Sequence, residues 1–160
     1  MEKMLGRHVK DIVTDRDGIV TSIIRWISGC DTVFVEDKDG TFTAEKQRLE
    51  LLDDGISDRV PDTIYQAADE FLANLGRHGH DKITGFEGVA VGVYVNAFRS
   101  AQYCLQAPSV DNNLGKISSM DCGQIEFDDN DELVIDPSEV QGRHSGGFNY
   151  IPKGIFEAFI

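Results

Sequence analysis

Apolar residues fall along this chain in two rhythms. From position 8, HVKDIVT alternates apolar with polar residues, the period-two pattern of a strand with one buried face. IVTSIIRWI, residues 19–27, is rich in β-branched side chains, which suit an extended backbone and crowd a helix. TVFVE and RLELL read as further strands at residues 32–36 and 48–52. Between them TDRDG, SGCD and DKDG supply turn formers, with Gly18 free to take positive φ and DKDG suited to a tight hairpin. In residues 55–74 the rhythm changes. Ile64, Ala68, Phe71 and Leu75 recur at helical spacing after Pro61 and Asp62, which predicts an amphipathic helix of about three turns stopped by Gly76. Strand patterns resume in HDKIT, VAVGVYVNAF, AQYCLQ, QIEF and ELVI, and APSVDNNLGKISSMDCG reads as a long turn in the place of DKDG.

The two strand regions repeat one another. LGRH begins at Leu5 and again at Leu75, a spacing of 70. Laid together without a gap, the regions match at Asp11 and Asp81, Thr14 and Thr84, and Gly18 and Gly88. Near matches join Val13 to Ile83, Asp17 to Glu87, Ile19 to Val89, Phe34 to Cys104 and Val35 to Leu105. Apolar positions coincide more often than identities do, as expected of two copies of one small fold with drifted surfaces. Four or five short strands with tight turns can curl into a small barrel but not a large sandwich. The expectation is a mainly β protein: two tandem SH3-like small β-barrels, residues 1–54 and 75–136, joined by one α-helix in residues 55–74. A Gly/aromatic C-terminal extension, residues 137–160, follows.

Composition narrows the function classes. With 160 residues and 41% hydrophobic content the chain can bury a core, yet no run approaches the roughly 18 apolar residues of a membrane helix. MEKMLGRHVKD holds no apolar signal core, so a cytoplasmic protein is expected. There are 15 basic and 28 acidic residues, net −13, and the excess runs through both copies. Such a surface repels nucleic-acid phosphates and disfavours direct DNA or RNA binding. It suits solubility, a basic partner, or imitation of a phosphate backbone. Cys30, Cys104 and Cys122 do not pair evenly and form no CxxC, so reduced, half-buried thiols are expected.

The series Leu5, Gly6, Val9, Asp11, Val13, Thr14, Gly18, Ile19, Val20 and Thr21, with Gly29 and Cys30 at the next turn, resembles a known pattern. DKITGFEGVAV, from Asp81, matches it more closely. Both resemble small SH3-like proteins encoded by bacteriophages, with a VkDxvTGfxGivt…GC pattern, and more loosely the KOW-type barrel motif. The resemblance spans roughly 50 residues of each copy and neither the helix nor the tail. Copy one has Asp15 and Arg16 where the pattern has Gly-Phe, and copy two has Arg99 and Ser100 in place of Gly-Cys. These departures imply that the copies have specialised.

Candidate chemistry is sparse. VEDKDGTF hints at a calcium loop, but Val35 stands at its first position and Lys46 at its twelfth, where acids are needed, so a plain hairpin is preferred and no metal site is assigned. Glu126, Asp128, Asp129, Asp131 and Glu132 form an acidic run with no base among them, either solvated hairpin acids or a row offered to a basic protein. Gly-Arg-His occurs three times, bringing Arg7 and His8, Arg77 and His78, and Arg143 and His144 forward as candidate anion ligands if the triplets converge. Separate surface positions are the default. No HExxH, P-loop, GxGxxG after a strand or nucleophile–base pairing is present, so no catalytic residue and no cofactor is assigned. Trp26 is expected in the core.

The favoured reading is a non-catalytic phage-type binding protein that docks on a host protein with a basic surface and inhibits or redirects it. The anti-defence role and the cytoplasm of an infected bacterial host come from the resemblance alone. Two alternatives stand beside it: sequestration of a small anionic, nucleotide-like ligand, and a structural virion or assembly component in which the tail IFEAFI binds a neighbour or a second copy.

Overall fold

The computed structural model describes residues 2–111, 113–130 and 132–141. Its first half holds strands β1 (His8–Asp11), β2 (Asp17–Trp26), β3 (Asp31–Asp37), β4 (Gly40–Glu45) and β5 (Leu49–Asp53). Helix α1 (Asp62–Leu72) follows. Strands β6 (His78–Asp81), β7 (Glu87–Asn96), β8 (Gln102–Gln106), β9 (Ile117–Asp121) and β10 (Ile125–Phe127) make the second half. The protein is mainly β, as its alternating and β-branched runs predict. The strands are antiparallel and join in one sheet, ordered β10-β6-β7-β2-β1-β5, with β3 and β4 branching from β2 and β8 and β9 from β7. This path is open, ending at β5 and β10.

The two long strands each serve three neighbours. The first residues of β2 pair with β1, Ser22–Trp26 pair with β7, and β3 runs along its other side. A register shift between Val20 and Ser22 bends the strand, and a matching shift between Ala90 and Gly92 bends β7. A bulge of this kind inserts a residue and redirects the strand, which lets one strand change partners along its length.

The central pairing is nearly two-fold symmetric. Ile24 lies opposite Tyr94, its own counterpart 70 positions on, while Ser22 faces Asn96 and Trp26 faces Gly92. Equivalent backbone bonds flank it: the Ile27 amide donates to Val91 at 2.8 Å and the Ala97 amide to Thr21 at 3.0 Å. Val20, Ile23, Val33, Val35, Val89, Val91, Val93, Val95 and Leu105 are at most 1% exposed and belong to one core spanning both halves.

The matched sequence positions do matched work. Asp11 accepts from the Val13 amide at 3.0 Å and the Thr14 hydroxyl at 2.9 Å, and Asp81 accepts from the Ile83 amide at 3.1 Å and the Thr84 hydroxyl at 2.6 Å. Each carboxylate closes the turn into the next long strand. Gly18 and Gly88 lie where β2 and β7 cross close to β3 and β8. A Cβ on Gly18 would overlap the Glu36 carbonyl oxygen, and one on Gly88 would fall 2.6 Å from that of Gln106.

Helix α1 packs on β7 with Tyr65 and Ala68 buried. The Tyr65 hydroxyl accepts from the Leu5 amide at 3.0 Å. Tyr103 donates to the Phe71 carbonyl at 3.1 Å and lies edge-on to the Phe71 ring, with centroids 5.7 Å apart.

The structure departs from the sequence reading in detail. The helix ends at Leu72, four residues before Gly76, and Leu75 is buried in the turn beyond it. ISSMD is strand β9 rather than part of a long turn, because its backbone pairs with all of β8. ELVI is not a strand: Leu133 makes a single bridge to Arg77, and the Val134 amide bonds the Gly76 carbonyl at 2.8 Å. DKDG is the β3–β4 hairpin, with Asp37 accepting from the Asp39 amide at 2.8 Å. Trp26 is 7% exposed and packs in the core.

Chemical denaturation tests the close crossings. Gly18→Ala and Gly88→Ala should each lower stability by about 1–3 kcal/mol through overpacking. Gly123→Ala, with no atom near its Cβ position, should stay within about 0.5 kcal/mol of the parent.

Candidate functional site

An open groove of about 770 Å³ lies at the Ala97 end of the β2–β7 pairing. Phe34 and Tyr94 meet edge to face in it, with ring centroids 5.9 Å apart and planes at 79°. A polar cluster shares the lining: Ser22 Oγ lies 2.7 Å from Tyr94 Oη, and Asn96 Nδ2 donates to Ser22 Oγ at 2.9 Å. Asn96 Oδ1 accepts from the Phe98 amide at 3.0 Å, which turns the chain so that Phe98 stands 65% exposed at the mouth. Glu36, Asp37 and Arg99 contribute the charges of the lining.

The opposite end of the pairing explains why a groove exists. There Trp26 stands in the place of Asn96 and Ile27 in the place of Ala97, both buried. Gly92, the counterpart of Ser22, gives the indole room: a Cβ there would lie 3.0 Å from Trp26 Cε3. Cys104, 1% exposed, takes the place of Phe34. The same backbone arrangement is therefore filled at one end and open at the other, and the difference lies in side-chain size. The sequence carried this signal in the unequal pairs Trp26 and Asn96, Ile27 and Ala97, and Cys104 and Phe34. Matching the two strand regions by likeness passed over it.

The residues singled out from the sequence divide among several places. His8 is held between two carboxylates, with Nε2 2.6 Å from Asp17 and Nδ1 2.8 Å from Asp53. His78 reaches Asp128 through Nδ1 at 3.0 Å. Arg77 donates to Asn74 Oδ1 at 2.8 Å and the Asp128 carbonyl at 3.1 Å, and its guanidinium lies 5.1 Å over the Phe127 ring. Arg7 lines a different cleft, with Lys3, Tyr65 and the carboxylates of Asp54, Asp58 and Asp62. The first two triplets thus have separate surroundings. Arg143 and His144 lie outside the described residues, as does Asp131. Glu126, on β10 opposite His80, and Asp129 and Glu132, in the segment after it, are exposed. Asp128 is exposed too, but tied to His78.

Burial raises both core thiols, Cys122 to about 12, which opposes thiolate formation. Cys30 is half-buried. Among the described residues, no group of three His, Cys, Asp or Glu side chains could hold a metal ion, and no helix is long and apolar enough to cross a membrane.

The carboxylates that organise the turns sit below their ordinary range. For Asp81 the Thr84 hydroxyl and the Ile83 amide hold the charged form. For Asp11 burial pushes the other way, and the Val13 amide, the Thr14 hydroxyl and Arg48 outweigh it. His8 is raised above its ordinary 6.5 by hydrogen bonds to Asp17 and Asp53. A group raised by folding stabilises fully below its unfolded pKa and loses that contribution as pH climbs through the folded value. Comparison with family models, curated proteins and solved structures finds no match to this chain.

Melting temperature against pH tests the His8 contacts. The advantage of the parent over His8→Gln should be largest below about pH 6.5 and shrink as pH rises beyond it. An advantage independent of pH between 5 and 9 would show that His8 acts by packing alone.

Proposed function

We propose that the protein is a non-catalytic, acidic binding protein of the bacteriophage type that docks on a basic host protein and inhibits or redirects it. The cytoplasm of an infected bacterium is its place of action in this reading, with an anti-defence role following from the resemblance. The carrying observation is how charge is distributed between the inside and the outside of the chain's own contacts. Among the described residues, six Lys and Arg side chains form ion pairs with carboxylates: Lys3 with Asp62, Lys10 with Asp15, Arg16 with Asp37, Arg25 with Asp31, Lys46 with Glu2 and Arg48 with Asp11. Exposed acids such as Glu36, Asp39, Glu126 and Asp129 remain to shape the outer field. A field of that sign speeds encounter with a basic surface and repels nucleic acid.

The scaffold in this reading is two SH3-like units derived by duplication, each short of a full barrel in the open sheet. Support comes from the order of strands, which recurs across the halves, and from the paired roles of Asp11 and Asp81 and of Gly18 and Gly88. Such units present loops and grooves from a rigid frame and need no catalytic group of their own.

The full-length chain, used as bait in bacterial lysate, should retain one basic protein stoichiometrically at low salt and release it at moderate salt. Glu126→Lys with Asp129→Lys should reduce that capture several-fold. Capture unaffected by both salt and charge reversal would sink the reading.

A further inference from the structure

We infer that the groove at the β2–β7 join receives an arginine side chain presented by an extended segment of a basic partner protein. The inference rests on the binding-protein reading above and adds the chemistry that is recognised.

Three features lead there. First, among the described residues, the smaller Asn96 and Ala97 stand beside the groove where the larger Trp26 and Ile27 stand at the matching site. Loss of such packing at one of two equivalent places leaves aromatic faces without cover, and a visiting side chain restores it. Second, the molecule already uses the contact that an arginine would make here. Arg16 lies 4.3 Å over the Phe42 ring while its Nε and Nη2 reach Asp37 at 3.0 and 2.9 Å. Asp37 itself lines the groove, and Arg77 over Phe127 repeats the aromatic half of the arrangement. Third, the groove offers the same ingredients: the rings of Tyr94 and Phe98, and the exposed carboxylate of Glu36. A guanidinium is planar and weakly hydrated, so it can stack on a ring and still donate to a carboxylate. A lysine ammonium does only the second well.

The net charge of −13 favours a cationic visitor. Arg99, exposed at the rim, opposes it, so the partner arginine enters from the Glu36 side. Removing that cation should strengthen the contact.

The test uses the isotopically labelled full chain and a ten-residue glycine–serine peptide carrying two arginines, with the matching lysine peptide as control. Amide NMR shifts caused by the arginine peptide should concentrate on residues 19–22, 34–37 and 94–99. The arginine peptide should bind several-fold tighter than the lysine one at equal salt. Asn96→Trp with Ala97→Ile, which copies the filled site, should abolish these local shifts. Glu36→Gln, a surface change that leaves the core untouched, should weaken binding severalfold if the larger replacement disturbs folding. Arg99→Gln should tighten it. Equal binding of both peptides with shifts scattered over the acidic surface would overturn the groove inference while leaving charge-driven docking intact. Absence of binding by either peptide would also overturn it, and salt-sensitive capture from lysate would still decide the broader reading on its own.

Discussion

Antiparallel pairing of β2 with β7 carries the rest of this structure. It sets Ile24 against Tyr94 and makes one sheet of two halves that are each too small to bury much apolar surface alone. Ile23, Val93 and Val95 are buried along that join and belong to a core drawing on both halves. A one-residue slip in this register would turn every buried side chain on β2 toward the opposite face, so packing and hydrogen bonding specify the same alignment. The bends at Val20–Ser22 and Ala90–Gly92 let each long strand leave its own half and meet the other.

A nearly symmetric frame does not impose symmetric chemistry. Asp11 and Asp81 close equivalent turns, and Gly18 and Gly88 permit equivalent crossings, because backbone geometry demands the same residue type at both. Side chains at the ends of the join carry no such demand. Trp26 and Ile27 fill one end, while Asn96 and Ala97 leave the other open and put Ser22, Tyr94 and Asn96 into mutual hydrogen bonds. The polar cluster satisfies its own groups, so the opening does not leave buried donors unpaired in that network.

Charge is arranged with similar economy. Arg48 binds the nearly buried Asp11, and Arg25 binds Asp31, 6% exposed; both acids would be costly to bury without a cation. Each such pair takes one acid and one base together, so the excess of acids fixed by composition stays with the rest of the molecule. His8 adds a pH-sensitive clip between β1, the start of β2 and the end of β5, through Asp17 and Asp53. Structural electrostatics and the outward field are thus consequences of one distribution.

Sequence by itself determined the local elements wherever pattern and geometry coincide. Alternation in HVKD, β-branching in β2 and the periodic stripe of α1 all act over a few residues, and each was legible, whereas the Asp-x-x-Thr turns after Asp11 and Asp81 lie in stretches that read as strand. The spacing of 70 likewise revealed which positions share a role. ISSMD and ELVI were misread because a short segment becomes a strand only if a neighbour pairs with it, and β8 pairs with the first and not the second. The order of strands, the meeting of Ile24 with Tyr94 and the groove beside it belong to tertiary structure alone. Residues 22, 34 and 94 are distant in sequence, and only the register between β2, β3 and β7 brings them together. The acidic excess was plain in composition, but which base pairs with which acid depended on contacts such as the exposed Lys3 with Asp62 that no local pattern encodes.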